Sequence, residues 1–411
     1  MSITDSAPGQ LEFPRTPADV IAVARRIGAA AAPHAARHDR EASFVEEGYE
    51  AIRAHGYGVI AVPRELGGGG HDLATVCRAQ AVLAGYCAST ALAIAMHQHL
   101  VLSLAWRWRL GDSSVERTLR RIASEDLILS NSGSADPANP GVTAIPVEGG
   151  LLVTGRKRLV SGAPGADVVM TMARVEGRGR QQTVTVLIPT SDHRTEILPD
   201  WDAMGMRGSG SNAVSFTGVF VPEVNVLYFE PLRSLRDLAE PGATTGEAGD
   251  QSDAPSETQP DATRRPGMQI ALTVIAAVYL GAAGAMRNRA LRLTAARRAG
   301  DPVQQRIAGL LTHEFRSAWW ALNALIAATT DESLGTEDHF ITTMLSKRQV
   351  TLSSIRIVEL AMELLGSRSY MRELPFEQAL RDVRAGITHP LPPEQTLLEV
   401  GKSALESARG G

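Results

Sequence analysis

The run Ile270-Ala-Leu-Thr-Val-Ile-Ala-Ala-Val-Tyr-Leu-Gly-Ala-Ala-Gly-Ala-Met286 is the longest apolar stretch of the chain, and Arg287 and Arg289 follow it. It falls short of the ~20 residues that cross a bilayer, so it reads as a helix buried in protein. Three further long segments follow it, near 303–330, 335–366 and 374–407, with short connections. Four long helical segments joined in this way predict a four-helix bundle over 268–407.

Upstream of the bundle the pattern changes twice. Residues 240–267 hold no Val, Ile, Leu, Met or aromatic side chain. Such a stretch cannot bury enough apolar surface to offset its ordering entropy. The segment 233–267 therefore reads as a disordered acidic insertion rich in Pro, Gly and Ser, with a recognition role as the other reading. From 126 to 232 the runs are short and β-branched, as in Leu151-Leu-Val-Thr154, Asp167-Val-Val-Met-Thr171, Thr183-Val-Thr-Val-Leu-Ile188 and Ala213-Val-Ser-Phe216. They predict a small antiparallel β domain. Residues 15–125 read as a helical domain. Thr16-Pro17-Ala18-Asp19 signals a helix start, with that helix running to about His38. A second helix spans Phe44 to His55, an extended piece Gly58 to Pro63 and a flexible loop Gly67 to Gly70. Two helices fall within Leu73–Leu110 and a short one at Arg117–Ser124. The expected fold is thus α+β and multidomain: helical domain, antiparallel β domain, helical bundle.

Composition excludes several function classes. Over 411 residues, 44% are hydrophobic and 21% charged, a globular balance. The net charge of −4 leaves no broad basic face for nucleic acid. Met1 to Pro14 shows neither a basic start nor an apolar run, and no membrane partner or metal is expected; a cytoplasmic location is. Cys77 and Cys87 lack zinc spacing and read as buried, reduced thiols. No G-x-G-x-x-G, G-x-x-x-x-G-K-[ST] or H-E-x-x-H motif is present.

Four features could carry chemistry. In Gly155-Arg-Lys-Arg-Leu-Val-Ser161-Gly-Ala-Pro-Gly-Ala-Asp167 a strand ends in a small-residue loop with a hydroxyl, either a platform for a flat ligand or a hairpin turn. In Trp201-Asp-Ala-Met-Gly-Met-Arg-Gly-Ser-Gly-Ser211, Arg207 lies between glycines, either facing an anionic or aromatic ligand or holding a structural loop. His97 and His99 are two apart on a helix and so point to different faces; each is a core histidine or a functional one. Finally, Leu380-Arg-Asp-Val-Arg384 runs into Ile387-Thr-His389-Pro390. A histidine where a helix breaks serves as a general acid or base near neutral pH, or is a loop residue with its bonds satisfied.

Taken together, Gly56-Tyr-Gly-Val-Ile-Ala-Val-Pro-Arg-Glu-Leu-Gly-Gly68, Gly155 to Asp167, Met204-Gly-Met-Arg-Gly208 with Phe220-Val-Pro222, and Arg381-Asp-Val-Arg384 resemble the acyl-CoA dehydrogenase superfamily. The resemblance covers about residues 15 to 405. It implies a flavin, FAD or FMN, between the β domain and the bundle. Leu159, Val160 and Ser161 would pack on its ring, and Asn131, Ser132 and Ser134 would line the other side. It also implies a homotetramer assembled through the bundle.

Two departures from that pattern direct the functional expectation. The carboxylate that takes the α-proton of a thioester falls in the register of His389-Pro390, and its alternative place in the family falls at Ala271. The diphosphate contacts reduce to Arg297 or Arg298, and the family's Gly-Gly turn to Gly366-Ser367. The two-component monooxygenase branch looks similar in Ser161-Gly162, His97, and His389 with Glu399-Val-Gly401. It implies a flavin-dependent oxidoreductase, a monooxygenase that takes reduced flavin from a separate reductase and acts with O2 on a small molecule, a phenol, amine or sulfur heterocycle. Ser161 would stabilise the hydroperoxyflavin, and His389 or His97 would be the acid or base. The alternatives are an acyl-CoA dehydrogenase with Glu394 as a displaced base, or a base-less, non-catalytic subunit of a hetero-oligomer.

Overall fold

A computed structural model describes Pro14 and residues 16–131, 140–176, 183–228, 265–389 and 392–410. The N-terminal third is helical: Pro17–Glu41, Glu46–Ala54, Leu73–Ala84, Ala88–Arg109 and Glu116–Glu125. The first start is a reciprocal cap. The Thr16 hydroxyl accepts the Asp19 N–H at 3.2 Å, and the Asp19 carboxylate accepts the Thr16 N–H at 2.9 Å. The helix passes His38 and stops at Ala42, which has a left-handed φ of 53°.

The extended piece expected at Gly58 to Pro63 is instead a pair of tight turns, Tyr57–Val59 and Arg64–Leu66. Val59 N–H donates to Gly56 O and Val62 N–H to Val59 O, bonds within the segment that a strand would make to a neighbour, and Tyr57, Val59, Ile60 and Val62 are all buried. The glycines expected to form a flexible loop fold back on this turn. Gly70 N–H donates to Val62 O at 2.8 Å and His71 N–H to Ile60 O at 2.9 Å, while a Cβ on Gly68 would lie 2.4 Å from Val62.

Among the described residues, the middle of the chain forms one eight-stranded sheet. Its strands are β1 Leu129–Ser130, β2 Val142–Val147, β3 Gly150–Val160, β4 Val168–Val175, β5 Thr183–Pro189, β6 Thr195–Ile197, β7 Asn212–Pro222 and β8 Val226–Leu227. They lie in the order β6-β7-β3-β2-β4-β5-β8, with β1 beside β4. Five pairings are antiparallel. The sheet is nonetheless mixed, because β4 runs parallel to β1 and β2. The β2–β3 hairpin reverses the chain and the turn after Ser161 reverses it again. β4 therefore runs in the direction of β2 and settles beside it. The sheet has its own apolar core, including Val153, Val169, Val186, Val214 and Phe216.

The C-terminal helices are Arg265–Arg298, Pro302–Ala328 and Glu337–Leu365. Arg265, Pro266 and Gly267 belong to the first of them, not to the acidic insertion; the rest of the insertion, residues 233–264, lies outside the described residues. The expected fourth segment is split into Phe376–Arg384, a turn at Ala385–Ile387, and Pro393–Gly410. Among the described residues, Ala88–Arg109 and Arg265–Arg298 are long and apolar enough to cross a membrane, yet 89% and 78% of their apolar windows are buried inside the protein. Both belong to one core that runs from the N-terminal helices into the bundle. Closeness there depends on Gly281, where a Cβ would meet the Ala81 carbonyl oxygen at 2.2 Å. Cys77 and Cys87 are buried free thiols.

Three parts of the chain meet at Arg381-Asp382. The Arg381 guanidinium makes a bidentate pair with Asp39 at 2.9 and 2.6 Å and donates to Met204 O at 2.9 Å. The Asp382 carboxylate accepts the Met206 N–H at 2.5 Å, and burial pushes its pKa up to about 7. Arg207 also belongs here. It donates to Asp39 O, Asp202 and Ala203 O, so it holds the loop. Gly205 permits the approach, since a Cβ would lie 2.2 Å from Arg381 O and 2.7 Å from Asp382 N. Gly205→Ala is expected to destabilise the protein by roughly 3 kcal/mol through forced separation of these backbones. Urea denaturation checks this, and an unshifted midpoint would mean that the loop yields freely.

Candidate active site

Two polar centres stand out, one at the end of β3 and one at the break after the Arg381-Asp382 helix. At the first, β3 leaves the sheet through Leu159 and Gly162, with φ of 59° and 78°. The Ser161 hydroxyl lies 2.7 Å from that of Ser211, which lies 2.8 Å from that of Ser209. The Ser130 hydroxyl donates to Ser161 O at 2.8 Å, and Gly162 N–H donates to Ser209 O at 2.9 Å. All four serines are buried, whereas Leu159 beside them is 58% exposed. A Cβ at Gly162 would meet the Tyr49 hydroxyl at 2.5 Å, so the turn requires glycine. Val160 is fully buried under the strand end and pairs with Asn212. Asn131, one residue beyond Ser130, hydrogen-bonds through its side chain to His99. Ser132 and Ser134 lie outside the described residues.

At the second centre, the His389 ring meets Tyr279 of the first bundle helix, with Nδ1 2.8 Å from the hydroxyl. Burial, and next the Lys347 ammonium, push the imidazole pKa down to about 4. Lys347 is itself 1% exposed and donates to Gly386 O and His389 O, both at 2.9 Å. Burial lowers its own pKa to about 8.

The structure separates the two histidines expected to share a role. His97 Nε2 lies 2.5 Å from Gly58 O, and Leu129 N–H donates to His97 Nδ1 at 2.9 Å. An accepting Nδ1 fixes the proton on Nε2, so both ring nitrogens serve buried main chain. That places His97 as a brace between the Tyr57 turn and β1, in place of the acid–base group. Glu394 is exposed in the first turn of Pro393–Gly410. Arg297 is exposed in the last turn of Arg265–Arg298, and Gly366 caps Glu337–Leu365 with φ of 66°. No hydrogen bond between described residues joins Arg297, Gly366 or His389 to the serine cluster.

Four participants escaped the sequence reading. Ser209 and Ser211 enter only because β7 pairs with β3. Lys347 falls in the stripe Phe340, Met344, Lys347, Thr351, Ser354, Val358, which follows the helical period and is buried throughout. A lysine within such a stripe was the available signal. For Tyr279 the signal was one phenol in a run whose other hydroxyl is that of Thr273.

The chain matches three family models, described as the acyl-CoA dehydrogenase N-terminal domain over residues 20–125, the middle domain over 130–219 and the C-terminal domain over 268–387. It is 30% identical to the L-evernosamine nitrososynthase of a Micromonospora species, covering 90% of this chain and 85% of that one. It is 26% identical to the flavin-dependent monooxygenase oxygenase subunit HsaA of Mycobacterium tuberculosis, covering 84% of each. The solved structure of KijD3 with FMN and dTDP-3-amino-2,3,6-trideoxy-4-keto-3-methyl-D-glucose superposes with a TM-score of 0.77 at 27% identity, over 96% of each chain.

Proposed function

The chain belongs to the acyl-CoA dehydrogenase family, and from that premise we propose that it is a flavin-dependent monooxygenase that oxygenates an amine nitrogen of a small molecule. The observation that carries this reading is His389, set against Tyr279 where a dehydrogenase of the family keeps its carboxylate base. The names of the relatives support it, since they describe nitrososynthases and a flavin-dependent monooxygenase.

The residues present fit a flavin. Neutral hydroxyl donors at Ser161, Ser209 and Ser211 stand beside the exposed apolar side chain of Leu159, and a flat heteroaromatic ring with a polar edge needs both. When bound, a reduced flavin supplies the two electrons that activate O2. Ser161 and Asn131 bind and orient its polar edge. The close packing around Val160 and Gly162 excludes water from that edge, which strengthens each hydrogen bond. His389 is the acid–base group toward the substrate.

Reduced flavin comes from a separate reductase, and the protein acts in the cytoplasm. Copies of the chain assemble as a homotetramer through the bundle, where Val303, Trp320, Leu398 and Leu405 are each at least 60% exposed. Such large apolar side chains on one body favour association.

The test is anaerobic titration with reduced FMN or FAD, followed by an oxygen pulse in the presence of amines, including amino sugars. Oxygenated amine is expected, and Glu394→Gln is expected to leave its yield unchanged. Bleaching of oxidised flavin by an acyl-CoA, abolished by Glu394→Gln, would overturn the reading in favour of dehydrogenation.

A further inference from the structure

The hydrogen bonds around His389 fix more than its role as an acid–base group, and what they fix rests on that role. Tyr279 lies in the middle of the first bundle helix and is fully buried. Among the described residues its hydroxyl has one hydrogen-bond partner, His389 Nδ1 at 2.8 Å. The two rings lie 5.7 Å apart at 43°. Two directions are open to that bond. If Nδ1 carried the proton and donated it, the phenolic hydrogen would have no acceptor among the hydrogen bonds of the described residues. If the phenol donates, both atoms are satisfied, and buried polar groups favour the satisfied arrangement. The phenol keeps its proton to serve as that donor, because burial holds its pKa well above 10.

The segment that carries the ring is fixed from a third side. The Lys347 ammonium, on the helix Glu337–Leu365, donates at 2.9 Å to the carbonyl of Gly386, within the turn, and to that of His389, two residues past its end. The turn lies close against the same tyrosine: a Cβ at Gly386 would meet Tyr279 Cδ2 at 3.2 Å and Thr351 Cγ2 at 2.9 Å.

We propose that Tyr279 and Lys347 are positioning residues for His389: the tyrosine places the imidazole proton on Nε2, and the lysine clamps the turn that holds the ring. The resting histidine then offers the substrate a hydrogen-bond donor at Nε2 and no lone pair there, so its part in the acid–base chemistry is that of the donor. Tyr279→Phe removes the donor while keeping the packing, and the proton is free to occupy either nitrogen. Lys347→Met keeps the side-chain length and removes the clamp.

Nitrogen resonances of histidine-labelled apoprotein read the tautomer without flavin or turnover. The His389 signals are those that vanish in His389→Gln. We expect a pyrrole-like Nε2 and a pyridine-like Nδ1 in the wild type, averaged shifts in Tyr279→Phe, and doubled or broadened signals in Lys347→Met. Product formed per flavin oxidised should fall about tenfold in Tyr279→Phe at unchanged flavin affinity, the scale typical of a lost orienting bond. A proton on Nδ1 in the wild type overturns the proposal even if neither variant folds. A single Nε2–H tautomer in Tyr279→Phe overturns the role of the tyrosine, and wild-type spectra in Lys347→Met that of the lysine. Unchanged coupling in His389→Ala would instead remove the acid–base reading and leave the tautomer assignment standing.

Discussion

His389→Ala is expected to bind and reoxidise reduced flavin normally while product per flavin oxidised falls by about 10²-fold or more, with H2O2 making up the balance. The size follows from what general acid–base groups contribute, about 10²–10⁴-fold. The fold should survive. The backbone carbonyl of residue 389 remains to accept from Lys347, and the loss falls on one buried hydroxyl, that of Tyr279, at about 1–3 kcal/mol. The serine cluster is untouched because no hydrogen bond between described residues joins it to His389. Flavin binding and substrate oxygenation should therefore separate in this variant. The measurement is a stopped-flow oxygen pulse on enzyme preloaded with reduced flavin, with product and peroxide both counted. An unchanged ratio of product to peroxide would take His389 out of the chemistry.

Most of the architecture was legible because it is written in local chemistry. The Thr16–Asp19 cap, the apolar run from Ile270 and the break before Pro390 each announce themselves within a few residues. The Tyr57 to Gly70 segment misled because its apolar, β-branched residues suit a strand as well as a buried turn. Only packing against the core decides between the two. The parallel placement of β4 beside β2 is a property of the whole sheet and has no local signature. At the site, Ser161 was legible from its place at a strand end among small residues. Ser211 was not, since a register of pairing 50 residues away brings it there. The two histidines show the limit most clearly. His97 and His389 are each a single imidazole in a plausible setting, and both are held near pKa 4 by burial. They differ in what their second nitrogen meets: main chain for His97, and no described hydrogen-bond partner for His389.

That difference gives His97→Ala the opposite signature. The His97 ring is fully buried between Gly58 O and Leu129 N–H, so its removal strands a carbonyl and an amide and opens a cavity. Each orphaned group costs about 1–3 kcal/mol, and the variant should lose roughly 3–5 kcal/mol of folding stability. Product per flavin oxidised should stay at the wild-type value in whatever fraction is folded. Acid adds a second readout. The folded pKa of about 4 is depressed below the ordinary value near 6.5, with burial as the cause. Between those two values the unfolded chain binds the proton and the folded chain does not, so wild-type stability falls as pH is lowered through that window. From pH 7.5 to 5.0 the contribution of this residue amounts to about 2 kcal/mol, at about 1.4 kcal/mol per unit of separation. His97→Ala should lose that much less than the wild type over the same step, while His99, held near 4 in the same way, keeps its share of the dependence in both proteins. Urea denaturation at the two pH values measures the stabilities, and product counted per flavin oxidised measures the activity. A variant as stable as the wild type but failing to make product would return His97 to the catalytic role that its hydrogen bonds argue against.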